Sequence, residues 1–157
     1  MIGAYTNIIA IVSMAGLPVH SGKSALVDNG HTHQWLLIET TEREGEVVTS
    51  ISIDRAYAGD GKIDGKEFPE ILMRFSEKTI DGTYTFEFLT AIDCKQDTFA
   101  YVAGWSPDEP SASEPRAVQN VQFQPASEMT LLTRRVVYKQ ACGTGWNDEK
   151  WEALLEK

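Results

Sequence analysis

From residue 34 onward the chain alternates short apolar runs with polar turns, which predicts strands rather than long helices. Residues 34–39 (QWLLIE) form a first strand, followed by a charged turn over 41–45. Residues 46–53 come next, with Val47, Thr49, Ile51 and Ile53 on one face. A polar, glycine-rich loop is expected over 54–66, after which Ile71, Leu72, Met73, Arg74 and Phe75 resume as a strand or a single helical turn. The clearest strand spans 83–92, where Tyr84, Phe86, Phe88 and Ile92 share one face against Thr83, Thr85 and Glu87. Asp81-Gly82 ahead of it reads as a hairpin turn. Phe99, Tyr101 and Ala103 open another strand, and Val121 with Phe123 marks a short one.

After Pro125 the period changes. Ser127 is placed to cap a helix and Glu128 suits its positive end. Met129, Leu132 and Val136 recur at helical spacing, Arg134, Arg135 and Lys139 fall toward the negative end, and Gly143 stops the helix. Val136-Val137-Tyr138 would equally suit a strand. A second helix is expected over 148–156, capped by Asn147, with Trp151, Leu154 and Leu155 to one side. Strands followed by helices indicate an α+β domain.

The N-terminal run 7–19 (NIIAIVSMAGLPV) is too short to span a bilayer, so no stable membrane insertion is expected from it. It is long enough for a signal-peptide core, with Val19-His20-Ser21 as a candidate cut. No Lys or Arg precedes it, and residues 8–12 also read as an ordinary first strand. Segment 1–22 is therefore set apart as signal-like or first-strand, and 23–157 is taken as one domain. Fourteen Lys and Arg stand against 23 Asp and Glu, a net charge of −9 that repels phosphate backbones and argues against a nucleic-acid partner. Hydrophobic residues at 42% exclude a disordered or collagen-like chain.

Residues 104–115 (GWSPDEPSASEP) carry three prolines and no large aliphatic residue, so they form an exposed connection outside the ladder. Trp105 opens it with no apolar alternation around it to hold it in a core. Trp favours interface hot spots and prolines reduce the entropy lost on fixing a loop. Trp105, Pro107, Asp108, Glu109 and Pro110 are therefore the expected partner-binding residues. The rival reading is that Trp105 closes the end of the sheet.

Three suggestive patterns fail on their chemistry. Between Gly16 and Gly22 there are five residues rather than four, with Pro18 among them, so Lys23-Ser24 does not complete a phosphate loop. Residues 59–68 match part of a calcium-binding EF-hand loop, but Ala56 and Ala58 occupy ligand positions, leaving Asp60, Asp64 and Glu67 a poor cage. His31 and His33 share a face of an extended segment, with Asp28 as the sole third ligand, which is half a metal site. No Gly-x-Ser-x-Gly elbow occurs, and neither cysteine has a recognisable helper. No catalytic residue, metal or cofactor is assigned, and the chain is read as a non-enzyme. Cys94 and Cys142 are two buried thiols in a reducing compartment or one disulfide in an export pathway.

Taken together, Trp35, then Ser52-Ile53-Asp54, the 71–75 strand, Tyr84 through Asp93-Cys94, and 123–127 (FQPAS) leading to Ala141-Cys142 resemble the bacterial surface-adhesin protein E family. The resemblance covers residues 35–142. It implies a strongly bent antiparallel sheet with a C-terminal helix, or two, pinned to its concave side by a Cys94–Cys142 disulfide. It also implies a periplasmic, secreted or cell-surface protein that binds a host matrix or plasma protein. No lipobox cysteine is found, the 107–115 loop is enlarged, and no ligand-contacting motif carries over. The alternative class is an inhibitor or immunity protein that neutralises a basic enzyme or toxin, steered by the −9 charge. A homodimer is left open.

Overall fold

A computed structural model describes residues 17–18 and 32–143. They form one antiparallel sheet of nine strands: β1 Leu17–Pro18, β2 Trp35–Arg43, β3 Glu46–Asp54, β4 Gly59–Ile63, β5 Lys66–Thr79, β6 Gly82–Asp93, β7 Thr98–Trp105, β8 Arg116–Ala117 and β9 Gln124–Pro125. The order is β1-β8-β7-β6-β5-β3-β2, with β4 added beside β5 and β9 beside β7. The sheet is open and carries one helix, α1 Leu131–Cys142, after a short 3₁₀ turn, Ala126–Glu128. The expected α+β class and single disulfide are both present.

Local chemistry sets the hairpins. Glu44-Gly45 and Asp64-Gly65 both have positive φ at the two central positions, the mirror-image turn that matches strand twist. The second of these turns lies inside the segment expected to be a glycine-rich loop, which is instead the β4–β5 hairpin. The 71–75 run is the middle of a 14-residue strand, not a helical turn. The β5–β6 turn is Ile80-Asp81, one residue earlier than expected, with Gly82 already paired to Thr79. Val121 and Phe123 lie outside any strand; the short strand there is β9.

Both sheet faces are covered. On the helix side, Ile51, Ile53, Ile71, Met73, Phe75, Phe88, Ile92 and Phe99 pack against Ala126, Val137 and Tyr138. On the other side, Leu72, Leu89, Ala91, Val102, Ala103 and Trp105 lie beneath Tyr57, Ile63, Phe68 and Val121. The helix begins four residues later than Ser127. Thr130 is its cap, accepting from the Thr133 amide at 3.3 Å, and the C-cap Gly143 donates to the Lys139 carbonyl. Its buried face is Thr133, Val137 and Tyr138, whereas Leu132 is exposed, so the expected apolar stripe was rotated. Gln140 donates to the Asp54 carbonyl at 3.0 Å, tying the last turns to the end of β3. The second helix expected over 148–156 and most of segment 1–22 lie outside the described residues, as do His31 and Asp28.

Two buried phenols give the fold an alkaline limit. Burial is the main cause that raises both pKa values, helped by Glu70 at Tyr57 and by Asp97 at Tyr138. A phenol with a higher pKa folded than unfolded contributes stability in full below the unfolded value of 10.0 and loses it as pH rises toward the folded value. Urea midpoints should hold up to about pH 10 and then fall, each tyrosine contributing up to about 1.4 kcal/mol per pH unit. Tyr57→Phe should flatten that limb, and an unchanged slope would refute the assignment.

Candidate functional site

The residues expected to recognise a partner begin with Trp105, and the structure places it inside. Its surface is 5% exposed and its indole Nε1 donates to Glu87 Oε2 at 2.8 Å. The cause is one extra residue in β7. Leu89 pairs with Ala103 and Thr90 with Tyr101, so Val102 bulges from the ladder. Simple alternation from Phe99 and Tyr101 would carry Trp105 to the helix side. The bulge inverts that parity and sets Trp105 opposite Glu87 on the other face. The expectation that Trp105 is a surface hot spot is therefore corrected, and its place is at the end of the sheet.

Glu87 is itself buried and is shared. Arg74, directly opposite on β5, donates to Glu87 Oε1 through Nε at 3.0 Å and Nη2 at 2.5 Å. The guanidinium lies over the Trp35 ring, 3.9 Å from its centroid, and His33 stacks on Trp35 at 5.2 Å. His33 Nδ1 is 2.7 Å from Asp54 Oδ2, and the other Asp54 oxygen accepts from the Gln34 and Ala56 amides at 2.9 Å. A continuous polar ladder thus crosses the sheet from Trp105 to Asp54. Buried charges in strand interiors are tolerated only when paired. Arg74 within an apolar run and Glu87 within an aromatic one were the available signals for it.

This ladder is the stem of the proline-rich loop. Ser106, also buried, donates through its hydroxyl to the Thr85 carbonyl at 2.9 Å, and its amide donates to the Ala112 carbonyl at 2.7 Å. Within that closure the Glu109 amide donates to Ser106 and the Ala112 amide to Glu109, making two successive turns. Arg116 Nη2 donates to the Ser111 carbonyl at 2.9 Å. Pro115 is buried at the exit, while Asp108, Glu109 and Pro110 are exposed at the tip and Pro107 is half-buried. The loop is a closed knob held by hydrogen bonds from its own Ser106, Glu109 and Ala112 amides.

The calcium-like segment is a hairpin. Asp64 sits in the turn, and Lys62 pairs opposite Glu67, placing a cation where a carboxylate cage would have to close. Glu70, the adjacent buried acid, accepts from the Tyr57 hydroxyl at 3.1 Å, and β4 crosses above it at Gly61, where a Cβ would collide with the carboxylate. Among the described residues no group of three metal-ligating side chains converges. Calorimetric titration should show no calcium binding tighter than about millimolar; micromolar binding would overturn this and assign Asp60, Asp64 and Glu67. Among the described residues no helix is long and apolar enough to cross a membrane.

Cys94 and Cys142 form a disulfide with a Cα–Cα distance of 5.8 Å, joining the β6–β7 turn to the last residue of α1. No family model, curated protein or solved structure matches this chain.

Proposed function

We propose that this chain is an exported, non-enzymatic binding protein that recognises another protein through the 106–115 loop. The observation that carries the reading is the loop's construction: two linked turns closed by Ser106 and Ala112, rooted in the buried Trp105–Glu87–Arg74 ladder. A segment already fixed in shape loses little entropy on binding, so its exposed side chains are available for contact at low cost. Trp105 serves as the anchor, and Pro107, Asp108, Glu109 and Pro110 present the contact surface. The disulfide supports an oxidising compartment, periplasmic, secreted or at the cell surface. The resemblance to surface adhesins points to a matrix or plasma protein as partner.

The acidic tip favours one second reading, an inhibitor or immunity protein that inserts Asp108 and Glu109 into a basic enzyme or toxin. Salt separates the two, because association steered by charge slows steeply as ionic strength rises.

The test is site-specific photo-crosslinking with oxidised protein carrying the crosslinker in place of Pro110 or, as a control on another hairpin, Lys62. Capture of a protein from secreted or matrix extracts at 110 but not at 62 supports loop recognition. Equal capture at both positions, or none at 110, removes the loop from the function.

A further inference from the structure

The two sides of α1 differ in character. Thr133, Val137 and Tyr138 are buried against the sheet. Away from it, at helical spacing, stand Leu132, Arg135, Val136 and Lys139, with Leu131 one turn before Arg135. Leu132 keeps 44% of its surface in water and Leu131 37%; Lys139 is exposed, and Arg135 and Val136 are half-buried. Apolar side chains in the first turn with cations behind them give the helix a second amphipathic face, beyond the one already spent on the core. Within Leu131–Cys142 the charged residues are Arg134, Arg135 and Lys139, with no acid, in a chain whose net charge is −9. Local charge here runs opposite to that of the whole molecule and favours an acidic occupant.

The chain itself supplies one. Beyond Gly143, residues 144–157 (TGWNDEKWEALLEK) carry Asp148, Glu149, Glu152 and Glu156 against Lys150 and Lys157. Their pattern predicts a helix over 148–156 with Trp151, Leu154 and Leu155 to one side, a stripe that needs an apolar surface to lie on. Gly143, at positive φ, ends α1, and residues 143–147 are a connection of the length that joins antiparallel helix pairs. A helix running back from there along α1 carries Leu154 about 9 Å from its start, level with Val136 and one turn from Leu132. The four carboxylates then lie within a screening length of Arg135 and Lys139. A second copy offers the same segment only at its solution concentration, whereas the tethered one is present at an effective concentration of about millimolar.

We propose that the outer face of α1 is the docking surface of the chain's own residues 148–156, which fold back as an antiparallel helix with Trp151, Leu154 and Leu155 over Leu132 and Val136. The surface is separate from the 106–115 loop and does not depend on that loop's role.

The probe is a benzophenone crosslinker in place of Leu132 in the oxidised full chain, with the same group in place of Lys95 for comparison. Lys95 is exposed and follows Cys94, which is bridged to Cys142, so a loose tail reaches it at least as readily as Leu132. After irradiation at low micromolar concentration and tryptic digestion, the peptide 151–157 should be captured within the same chain, in about fivefold higher yield from 132 than from 95. Trp151→Ser/Leu155→Ser, which changes no charge, should remove the excess, and Arg135→Gln/Lys139→Gln should lower it, as added salt does. Equal capture from the two positions, or none at 132, would leave a tethered tail without a seat and overturn the proposal. So would an excess that survives the serine pair, or capture at 132 that runs as a dimer, because a second copy would then be the occupant.

Discussion

Replacing Cys94 and Cys142 with serine should lower the unfolding free energy by about 4 kcal/mol, the chain-entropy value for a crosslink between residues 48 apart. For a domain of this size that corresponds to a fall in melting temperature of roughly 8–16 °C. Reduction of the intact protein should produce the same fall, since the bridge is the sole covalent tie between the sheet and the end of α1 among the described residues. The loss should concentrate at the helix: the amides of 137–142 should exchange faster, while those of β5 and β6 change only with global stability. A loss below about 1 kcal/mol would mean that Val137, Tyr138 and the Gln140–Asp54 contact hold the helix without the bridge.

The second large effect is expected at Glu87. Glu87→Ala removes the acceptor for two Arg74 nitrogens and for Trp105 Nε1 at once, and should cost about 3 kcal/mol in urea denaturation. Glu87→Gln, which retains one carbonyl oxygen, should cost less. The double replacement Arg74→Met/Glu87→Leu should recover part of the loss, because breaking one side of a paired charge is worse than removing both. If the double variant were as unstable as the sum of its parts, the ladder would contribute through packing alone. The alanine change should also loosen the loop that Trp105 anchors, so increased proteolysis within 107–114 is the accompanying readout.

Much of the sheet was legible from period-two alternation. The strands at 46–53 and 83–92 were visible because each has one strongly apolar face. Three features were not. The β4–β5 hairpin was hidden because its turn, Asp64-Gly65, sits among glycines and acids that mimic a cation loop, and β4 has almost no apolar residues of its own. The helix start was misplaced because Ser127 and Thr130 are both competent caps. The choice between them is made by Glu39, 91 residues away, which accepts the Thr130 hydroxyl. The burial of Trp105 depends on a bulge at Val102, and no local signal announces an inserted residue in a strand whose every neighbour is apolar. The loop itself was recognised by its prolines, but its internal closure rests on main-chain hydrogen bonds that composition does not encode.

β5 has a further consequence. Along one edge it pairs first with β4, over Lys66–Glu70, and then with β3, over Met73–Glu77, while its other edge is paired with β6 from Glu70 to Thr79. The sheet therefore forks at Ile71–Leu72. The two prongs are joined by the 55–58 connection, with Asp54 at the crotch holding the Gln34 and Ala56 amides. A forked sheet has a built-in line of parting. Lifting of the β4 prong would leave the ladder from β3 to β2 paired, but would take Ile63 off the second core and Gly61 off Glu70.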